Sequence, residues 1–545
     1  MSPSIRSLVL ALVLGALMAP AAHASPQQNS IMMDDDLLVY RDDSTAARAL
    51  TQMKSLGVDT IRVTVLWKVV AENAYFTKQQ LAQLKGKARE RARKQRLRFK
   101  PADPKTYPRQ NWDRYDNLVK EAKKQGIQVY FNVTGPGPIW AQSLPPKKLK
   151  NLLATYKPKP KDFKKFVMAV GRRFDGTYVD ENASRSPLPR VSMWSLWNEP
   201  NQGGWLSPQW ETRGGKKVPA SPALFRKLYQ SGYQGLLATG HRVDNDVILL
   251  GETAPLGSDA KTEKSPMRPK QFIREVFCIK PDGTKYTGTD AKVRDCGDLA
   301  KGPLKATGWA HHPYTKNLPP TQRDPNPDSL TMANIDELGT LLDEMSAKTG
   351  AIAASMPLYM TEYGFESNPP DPFSGVPLAA QAKYNTLGEY LAWGNPRILS
   401  QAQFLLADVA PVAGKPKTSK SYWFTYQSGL FFQRGQPKPA AYAYTFPFLV
   451  LPTGVDAVSG APAFHVWGQA RFLTNGAADV VQIQWHPKDN SSDWTTVGDP
   501  VAVDPARGYF EADRVAPVAA AGEWRAVWLR PDGSIGSYTA GSDGS

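Results

Sequence analysis

Residues 191–201 read VSMWSLWNEPN, a short apolar run that leads into Glu199. Residues 357–364 are PLYMTEYG, a second short apolar run, which leads into Glu362. Runs of this kind, bounded by turn residues, are typical of buried strands. Each glutamate would therefore leave a sheet at the C-terminal end of a strand, and a ring of parallel strands brings such ends together around one cleft.

Strand-like and helix-like segments alternate on both sides of these two stretches. Gly57 and Gly126 close two of the helix-like segments. Eight strand signals alternating with helices predict an α/β fold, a closed (β/α)8 barrel over residues 30–451. A doubly wound open sheet is the alternative, although no glycine-rich phosphate loop follows the first strand. The strands are expected at 31–40, 60–67, 127–133, 191–196, 247–252, 306–312, 358–361 and from 402, and the helices at 44–56, 111–125, 163–173, 221–239, 335–349 and 379–393.

Past Pro452 the helical periodicity ends and short runs rich in Val, Trp and Tyr take over. Residues 523–529, EWRAVWL, alternate as a half-buried strand does. We predict a small C-terminal β-sandwich over residues 455–540. It could bind sugar or only buttress the barrel, and buttressing is the default interpretation.

The first 24 residues have the form of a signal peptide. Arg6 gives a positive start, residues 8–18 are apolar, and Ala22-His23-Ala24 fits a signal-peptidase site. The apolar part is too short to span a bilayer comfortably, and no later segment is longer. We expect a secreted protein, extracellular or associated with the cell wall, without a membrane span and monomeric.

The chain has two cysteines, Cys278 and Cys296, in one loop-like stretch. Export would permit a disulfide that pins this loop, and two free thiols are the alternative. A metal site here is disfavoured, because two cysteines without a nearby histidine offer too few ligands.

The formal net charge of +17 is concentrated in two segments. Residues 78–109 contain twelve Lys and Arg against Glu90 and Asp103, and residues 147–165 contain eight Lys against Asp162. These runs are either solvated helix faces or a cationic rim that attracts an anionic polymer. No nucleic-acid recognition motif accompanies them, so we expect no nucleic-acid partner.

Two carboxylates that face each other across a cleft are the catalytic groups that cleave a glycosidic bond in most glycosidases. The alternatives to Glu362 as the second carboxylate are Glu366, four residues further on in the loop, and Glu252, at the end of the predicted fifth strand. Glu252 is also a candidate to line the cleft. His312 should face the cleft and His311 the other way, since neighbouring strand residues alternate faces.

Four motifs, in this order along the chain, resemble those of glycoside hydrolase clan A, the retaining barrel glycosidases. They are Arg62 within Ile61-Arg62-Val63, Trp197-Asn198-Glu199-Pro200-Asn201, His312-Pro313-Tyr314 and Met360-Thr361-Glu362-Tyr363-Gly364. The resemblance covers roughly residues 30–450. The family of β-xylosidases and iduronidases and the cellulase-like family within the clan are both compatible.

The resemblance implies a double displacement without any metal or organic cofactor. Glu362 would be the nucleophile, and Glu199 would act first as acid and then as base. Arg62 would keep Glu362 ionised, and Tyr314 would donate a hydrogen bond to it. Asn198 would bind the 2-hydroxyl of the sugar.

The substrate platform is expected to be aromatic, because sugar faces pack on indole rings. Four tryptophans fall at or beyond strand ends, with core packing as the alternative for each. Trp423 is the candidate for the floor of the catalytic subsite, and Asn132 is a further polar candidate. The four are Trp67, Trp140, Trp205 and Trp423.

The function predicted from these residues is hydrolysis of a polysaccharide or oligosaccharide, with an anionic glycan suggested by the basic segments. A carbohydrate-binding protein that has lost turnover is one alternative, and a cationic surface-adhesion protein is another. The intact pair Glu199 and Glu362 argues against both.

Overall fold

The computed structural model describes residues 25, 27–182, 186–473, 479–488, 494–530 and 532–543. The expected signal peptide, residues 1–24, lies outside the described residues. Within them, every helix is too short or too polar to cross a bilayer.

Eight parallel strands close into a barrel, which confirms the predicted fold class. The closed order is β1-β12-β9-β8-β7-β4-β3-β2, and β5–β6 and β10–β11 are two-stranded sheets in the connections. The strands up to residue 404 are β1 (Asn29–Met33), β2 (Thr60–Leu66), β3 (Gln128–Thr134), β4 (Met193–Leu196), β5 (Trp210–Arg213), β6 (Lys216–Pro219), β7 (Val247–Thr253), β8 (Gly308–His311), β9 (Leu358–Met360), β10 (Ser367–Asn368), β11 (Val376–Pro377) and β12 (Ile398–Phe404).

Helices surround the barrel and cover its apolar outer wall. Short 3-10 turns occur at Pro104–Thr106, Ile139–Ala141, Lys147–Leu152, Cys296–Lys301 and Met332–Asn334. The helices are α1 (Asp35–Val39), α2 (Asp43–Ser55), α3 (Trp67–Val70), α4 (Lys78–Gln83), α5 (Gly86–Arg98), α6 (Gln110–Lys124), α7 (Pro160–Arg173), α8 (Ser221–Leu237), α9 (Pro269–Val276), α10 (Gly288–Val293), α11 (Asp336–Thr349), α12 (Leu378–Trp393) and α13 (Pro439–Thr445).

The first strand is shorter than predicted because Asp34 ends it. The Asp34 side chain accepts a hydrogen bond from the Leu37 amide at 3.0 Å and so caps α1. Its other carboxylate oxygen accepts from the Leu406 and Ala407 amides at 3.1 and 3.2 Å. One side chain therefore starts a helix and ties the first barrel strand to the segment after the last one. The acidic run that interrupts the apolar pattern is a cap rather than part of a strand.

The C-terminal part is a two-sheet β-sandwich, as predicted, and its first strand begins before the predicted boundary. One sheet has the order β13-β14-β18, and the other has β16-β15-β19-β20 with β17 paired to β15. The buried pair Arg471–Glu389, at 2.9 Å, joins the sandwich to α12 of the barrel. The strands are β13 (Phe448–Val455), β14 (Pro462–Gln469), β15 (Val480–Pro487), β16 (Thr495–Thr496), β17 (Val501–Ala502), β18 (Tyr509–Val515), β19 (Gly522–Leu529) and β20 (Ile535–Tyr538).

Cys278 and Cys296 form a disulfide with an S–S distance of 2.05 Å, as predicted. The bridge closes the loop that contains α10, between α9 and β8.

Candidate active site

Glu199 and Glu362 lie just beyond the C-terminal ends of β4 and β9, on opposite sides of the barrel mouth. One carboxylate oxygen of Glu199, one of Glu362 and a ring nitrogen of His312 all lie within 4.8 Å of one another. The fold therefore brings together the two glutamates that the sequence singled out, although they are far apart in the chain.

Left-handed backbone conformations hold the residues around Glu199 in place. Trp197 has φ 77°, Glu199 has φ 37° and Glu252 has φ 50°, values that side-chain-bearing residues rarely adopt. Backbone hydrogen bonds fix them, from Trp197 N to the Val133 carbonyl and from Glu199 N to the Glu252 carbonyl, both at 2.9 Å. Strained backbone conformations of this kind are concentrated at functional sites, where contacts with the surrounding structure hold them in place.

Arg62 is completely buried beneath the two glutamates. Its Nη1 donates to Glu362 at 2.8 Å, and its Nη2 donates to Asn198 at 2.7 Å and to Glu252 at 2.9 Å. Because its amide oxygen is held by Arg62, Asn198 is fixed in orientation. Its Nδ2 group has no hydrogen-bond partner in the described part of the chain and is free to donate to a ligand.

Glu252 is buried below the cleft and does not line it, which corrects the expectation of a cleft residue. It accepts hydrogen bonds from Arg62, Tyr130, His312 and Thr361. Burial by itself would raise the pKa of this carboxyl, but Arg62 and the hydrogen bond from His312 outweigh burial and hold its pKa well below the usual range. Glu252 is therefore a permanent anion that anchors the cations around it.

His312 lies between Glu252 and the two glutamates of the cleft, Glu199 and Glu362. Its Nε2 lies 2.7 Å from Glu252, and its Nδ1 lies 3.0 Å from Glu199 and 3.6 Å from Glu362. Burial disfavours the charged ring, but the carboxylate of Glu362 and hydrogen bonds to Glu199 and Glu252 outweigh it and raise the pKa of His312 to about 10. Both ring nitrogens consequently carry protons at neutral pH.

Glu362 accepts hydrogen bonds from Arg62 at 2.8 Å and from the Tyr314 hydroxyl at 3.2 Å. Burial raises the pKa of Glu362 above its ordinary value, and the charges of Glu199 and Glu252 add to that effect, while His312 and Arg62 oppose it. The structure thus places Arg62 and Tyr314 where the sequence predicted them, but desolvation outweighs the effect of Arg62 on the pKa of Glu362.

Two residues of this network, Tyr130 and Thr361, carried no clear signal in the sequence. The Tyr130 hydroxyl donates to Glu252 and lies 2.6 Å from the Ser195 hydroxyl, and the Thr361 hydroxyl donates to Glu252 at 3.0 Å. A polar group inside a buried strand was the available sign, because such groups need a partner. We call Arg62, Tyr130, Glu252, His312 and Thr361 the floor of the site.

Asp35 is a third unpredicted residue, at the start of α1 beside the mouth of the barrel. Its Oδ1 accepts a hydrogen bond from the Thr64 amide at 3.1 Å. Burial raises the pKa of Asp35 to about 6, and it lies close enough to Arg62 and Glu362 to interact with both charges. The acidic run after β1 thus contributes a partly exposed carboxylate near the nucleophile position.

Trp67 and Asn132 do not line the cleft, contrary to the prediction. Trp67 is fully buried in the outer core, with its ring stacked on Phe166 at 5.4 Å. Asn132 is fully buried under β4 and donates to Ser195 Oγ at 2.7 Å. Trp67 follows the end of β2 directly and starts α3, so its side chain turns outward between barrel and helices.

Trp140 also packs within the protein rather than forming a platform. Its ring meets Trp67, Tyr75 and Phe99 edge-on at 6.0, 5.5 and 5.5 Å. Phe99 ends the basic helix α5, so this cluster fixes the basic segment against the barrel. Trp205 is half-buried on the loop after Glu199, without an aromatic partner in the described residues, and remains a candidate.

The loop after β12 presents Tyr426 to the glutamates. The Tyr426 ring meets Phe404 edge-on at 5.1 Å, and Phe404 meets Tyr314, the partner of Glu362. Tyr426 also lies close enough to Glu362 and Glu199 to interact with both charges. Trp423 donates its indole N–H to the Lys417 carbonyl at 3.0 Å within the same loop, and its place at the floor of the catalytic subsite stays a prediction.

Glu366 and His311 are outside the site. Burial and the carboxyls of Asp371 and Asp408 raise the pKa of Glu366 to about 8, which places it in a separate acidic cluster on the loop. His311 is buried and faces away, with contacts to the Thr253 hydroxyl at 2.8 Å and the Leu330 carbonyl at 2.9 Å. Of the carboxylates considered, Glu362 is therefore the one that faces Glu199.

Two clusters of carboxylate and histidine side chains in the described part of the chain could hold a metal, and both already contain cations. Glu199, His312 and Glu362 offer three ligand atoms, but a doubly protonated His312 has no free lone pair. In the second cluster, Asp116, Asp180 and Glu181, Arg173 donates to Asp116 at 2.6 Å and to Glu181 at 2.8 Å. Both arrangements fit charge pairing among side chains rather than a metal centre.

No protein-family profile and no curated protein sequence matches the chain. Similar solved structures include a family 39 glycoside hydrolase from Bacteroides cellulosilyticus WH2 (13% identity, TM-score 0.43, 92% of this chain and 80% of that one). A monomeric β-xylosidase from Caulobacter crescentus CB15 has 13% identity and a TM-score of 0.43 over 91% of this chain and 98% of that one. An endo-β-1,4-mannanase from Thermotoga petrophila has 10% identity and a TM-score of 0.38 over 95% and 96%. At scores this low, the likeness by itself carries no conclusion about the chemistry at Glu199 and Glu362.

Proposed function

We propose that the protein is a retaining glycoside hydrolase of clan A. The observation that carries the proposal is the pair of opposed glutamates, with one oxygen of each within 4.8 Å, at the mouth of a (β/α)8 barrel. The four clan-like motifs support it, since Arg62, Asn198, His312 and Tyr314 all contact one of the two glutamates or each other.

The spacing of the carboxylates favours retention over inversion. Retaining enzymes place the two carboxyl groups about 5–5.5 Å apart, whereas inverting enzymes need about 6.5–9.5 Å to admit a water molecule. One oxygen of Glu199 and one of Glu362 lie within 4.8 Å of each other, which is nearer to the retaining separation than to the inverting one. Direct attack by one carboxylate on the anomeric carbon is the step that this spacing permits.

The roles follow from the hydrogen bonds. Glu362 receives two donors, Arg62 and Tyr314, and is the nucleophile, which forms a bond to the anomeric carbon as the glycosidic C–O bond breaks. Glu199, bound only by His312 among the described residues, donates its proton to the leaving oxygen. In the second step Glu199 takes a proton from water, whose oxygen displaces Glu362 from the sugar.

The charges of the site suit this proton cycle. Three carboxylates, Glu199, Glu252 and Glu362, pair with two cations, Arg62 and His312, and Asp35 lies close enough to add further negative charge. This excess of negative charge favours the binding of a proton, which the first step needs on Glu199 while Glu362 is ionised. Esterification of Glu362 removes a neighbouring negative charge and lets Glu199 act as a base.

For the substrate we propose an anionic glycan, such as a uronic-acid polymer or a phosphate-bearing wall polysaccharide. Residues 78–109 and 147–165 both follow barrel strands on the catalytic face, and α5 is exposed along most of its length. Raising salt should then raise KM for the polymer and leave small neutral aryl glycosides unaffected, because screening weakens long-range attraction. Unchanged polymer turnover in high salt would contradict this part of the proposal.

The test of the function is hydrolysis across a panel of activated aryl glycosides and polysaccharides, with the anomeric configuration of the product followed by NMR. We expect net retention, and loss of activity by several orders of magnitude in Glu199→Ala and Glu362→Ala. Glu366→Gln, a nearby carboxylate outside the site, is the matched control and should keep activity. Inversion would contradict Glu362 as nucleophile, and glycan binding without any turnover would favour a binding protein.

Secretion is also a proposal, which rests on residues 1–24. Amino-terminal sequencing of protein recovered from the culture medium should begin at Ser25. Retention of the full chain inside the cell would contradict it.

A further inference from the structure

A second, strongly cationic groove lies on the outer wall of the barrel, away from the two glutamates. Its volume is about 1160 Å3. The first residues of α7, the outward face of α8 and residues 301–305 before β8 form its sides. Neither Glu199 nor Glu362 lines it.

The charge of the groove is unbalanced. Eight Lys and Arg line it against three Asp, which leaves five positive charges. Four of the cations, Lys159, Lys161, Arg242 and Lys305, are exposed and have no carboxylate within ion-pair distance among the described residues. The eight are Lys157, Lys159, Lys161, Lys165, Lys227, Arg242, Lys301 and Lys305. Unpaired like charges around one concave surface repel each other, and an anionic ligand would relieve that repulsion.

The base of the groove is rigid and partly apolar. Tyr229 and Tyr233 are buried and stacked at 6.4 Å with an interplanar angle of 8°. The Tyr229 hydroxyl donates to the Lys305 carbonyl at 2.8 Å, which fixes the segment that carries one of the unpaired lysines. Leu224 and Leu237 add half-buried apolar surface. A polysaccharide chain, with apolar ring faces and charged substituents, matches a rigid apolar base between cationic sides.

The groove reaches the catalytic face at one end. Lys157 and Lys159 line it and belong to the connection between β3 and α7. The Lys157 amide donates to the Ser207 carbonyl at 2.7 Å, on the loop that follows Glu199. A chain held in the groove would therefore be kept near the mouth of the barrel, where its local concentration at the catalytic site is raised.

We infer that this groove is a second binding site for an anionic polysaccharide, which holds the polymer outside the catalytic cleft. The inference builds on the proposed function for its purpose, but binding in the groove needs no turnover. The ligand expected in the groove is a linear glycan that carries regularly spaced carboxylates or phosphates.

The experiment uses the full chain with Glu199→Gln and Glu362→Gln, so that no polymer is consumed. Binding of polygalacturonate, of poly(ribitol phosphate) and of a neutral β-glucan is measured by calorimetry and affinity electrophoresis at low and high salt. The test variant adds Lys161→Glu, Arg242→Glu and Lys305→Glu. The matched control adds Lys54→Glu, Lys123→Glu and Lys383→Glu, three exposed lysines outside the groove with the same change in net charge.

We expect the groove variant to bind an anionic polymer at least about tenfold more weakly, as local electrostatic attraction is lost, and the control to bind as before. The polymer that shows the difference identifies carboxylate or phosphate as the recognised group. Equal weakening in both variants, or equally tight binding of a single-stranded oligonucleotide, would overturn the inference, because either result means a diffuse charge effect.

Turnover separates this inference from the proposed function. In the background with both glutamates intact, the groove variant should raise KM for the polymer and leave kcat/KM for a small aryl glycoside unchanged. If no substrate is turned over but the groove difference persists, the proposed function fails and the binding site stands. If turnover is found and the groove variant binds the polymer normally, the proposed function stands and the binding site in the groove is rejected.

Discussion

Arg62, beneath the two glutamates, is fully buried and bonded to Glu362, Asn198 and Glu252, whereas Tyr426, beside the same glutamates, is 56% exposed with its ring against Phe404. The first belongs to the floor, in which charged groups neutralise one another out of water. Tyr426 belongs to what we call the rim, the solvent-exposed side chains around the mouth of the cleft. Removing one partner of a buried ion pair lowers the free energy of unfolding by several kcal/mol, whereas breaking an exposed ion pair changes it little. Stability and catalysis should therefore depend together on the floor, and substrate preference on the rim.

The largest effect is expected from Arg62→Met. Removing this cation leaves Glu252 and Glu362 buried without their main partner, so the free energy of unfolding should fall by about 3–5 kcal/mol and activity should be lost. Urea unfolding followed by fluorescence measures it. Arg41→Met, which breaks the half-exposed pair with Asp36, is the control and should cost about 1 kcal/mol or less. Equal losses in the two variants would remove the distinction between floor and surface.

A smaller effect is expected from Tyr314→Phe. The lost hydrogen bond to Glu362 should lower kcat by about tenfold to hundredfold, since hydrogen bonds to charged groups contribute about 1.5–3 kcal/mol. KM and the unfolding midpoint should change little, because the ring and its packing stay. Steady-state kinetics on an aryl glycoside measures it. A rise in KM at constant kcat would instead assign Tyr314 to ground-state binding.

The pH profile tests whether the two glutamates share one electrostatic environment. Glu362 must be ionised to attack, and its pKa is raised, so the acid limb of kcat/KM should lie above pH 4.5. Activity is present above that limb and is lost as the pH falls through it. Glu199→Gln removes a charge that raises the pKa of Glu362, so the limb should move to lower pH with a substrate whose leaving group needs no protonation. An unmoved limb would mean that the glutamates titrate independently.

The smallest effect is expected from Tyr426→Ala on the rim. An exposed side chain contributes little to folding, so the free energy of unfolding should change by less than about 0.5 kcal/mol. KM should rise a few-fold with oligosaccharides that extend past the catalytic subsite, and kcat should change little. Tyr442→Ala, which removes an exposed tyrosine on α13, is the control and should leave KM unchanged. A stability loss like that of Arg62→Met would place Tyr426 in the floor.

The alternation of apolar runs and helix-like segments was enough to predict the barrel, because the period of each element follows from the backbone itself. The two glutamates were found from local sequence, since a charged residue directly after a buried strand stands out. Cys278 and Cys296 were paired correctly because they are the two cysteines of the sequence and lie close together in one loop-like stretch. The errors in strand and helix bounds were a few residues in most elements. They were larger at β1, where Asp34 acts as a cap, and at the start of the sandwich, where β13 begins at Phe448.

The side chains that surround Glu199 and Glu362 could be identified only from the folded molecule. Glu252 and Tyr130 were missed as floor residues because their partners are distant in sequence and their roles come from burial among them. Trp67, Trp140 and Asn132 were misplaced because a tryptophan or asparagine at a strand end can turn inward or outward, and packing against neighbouring helices makes that choice. The cationic groove was likewise hidden, since α7, α8 and residues 301–305 meet only when the barrel closes. The periodicity of apolar residues determines each helix and strand locally. The direction in which the side chains of a site point, and the net charge of that site, depend on contacts between these elements.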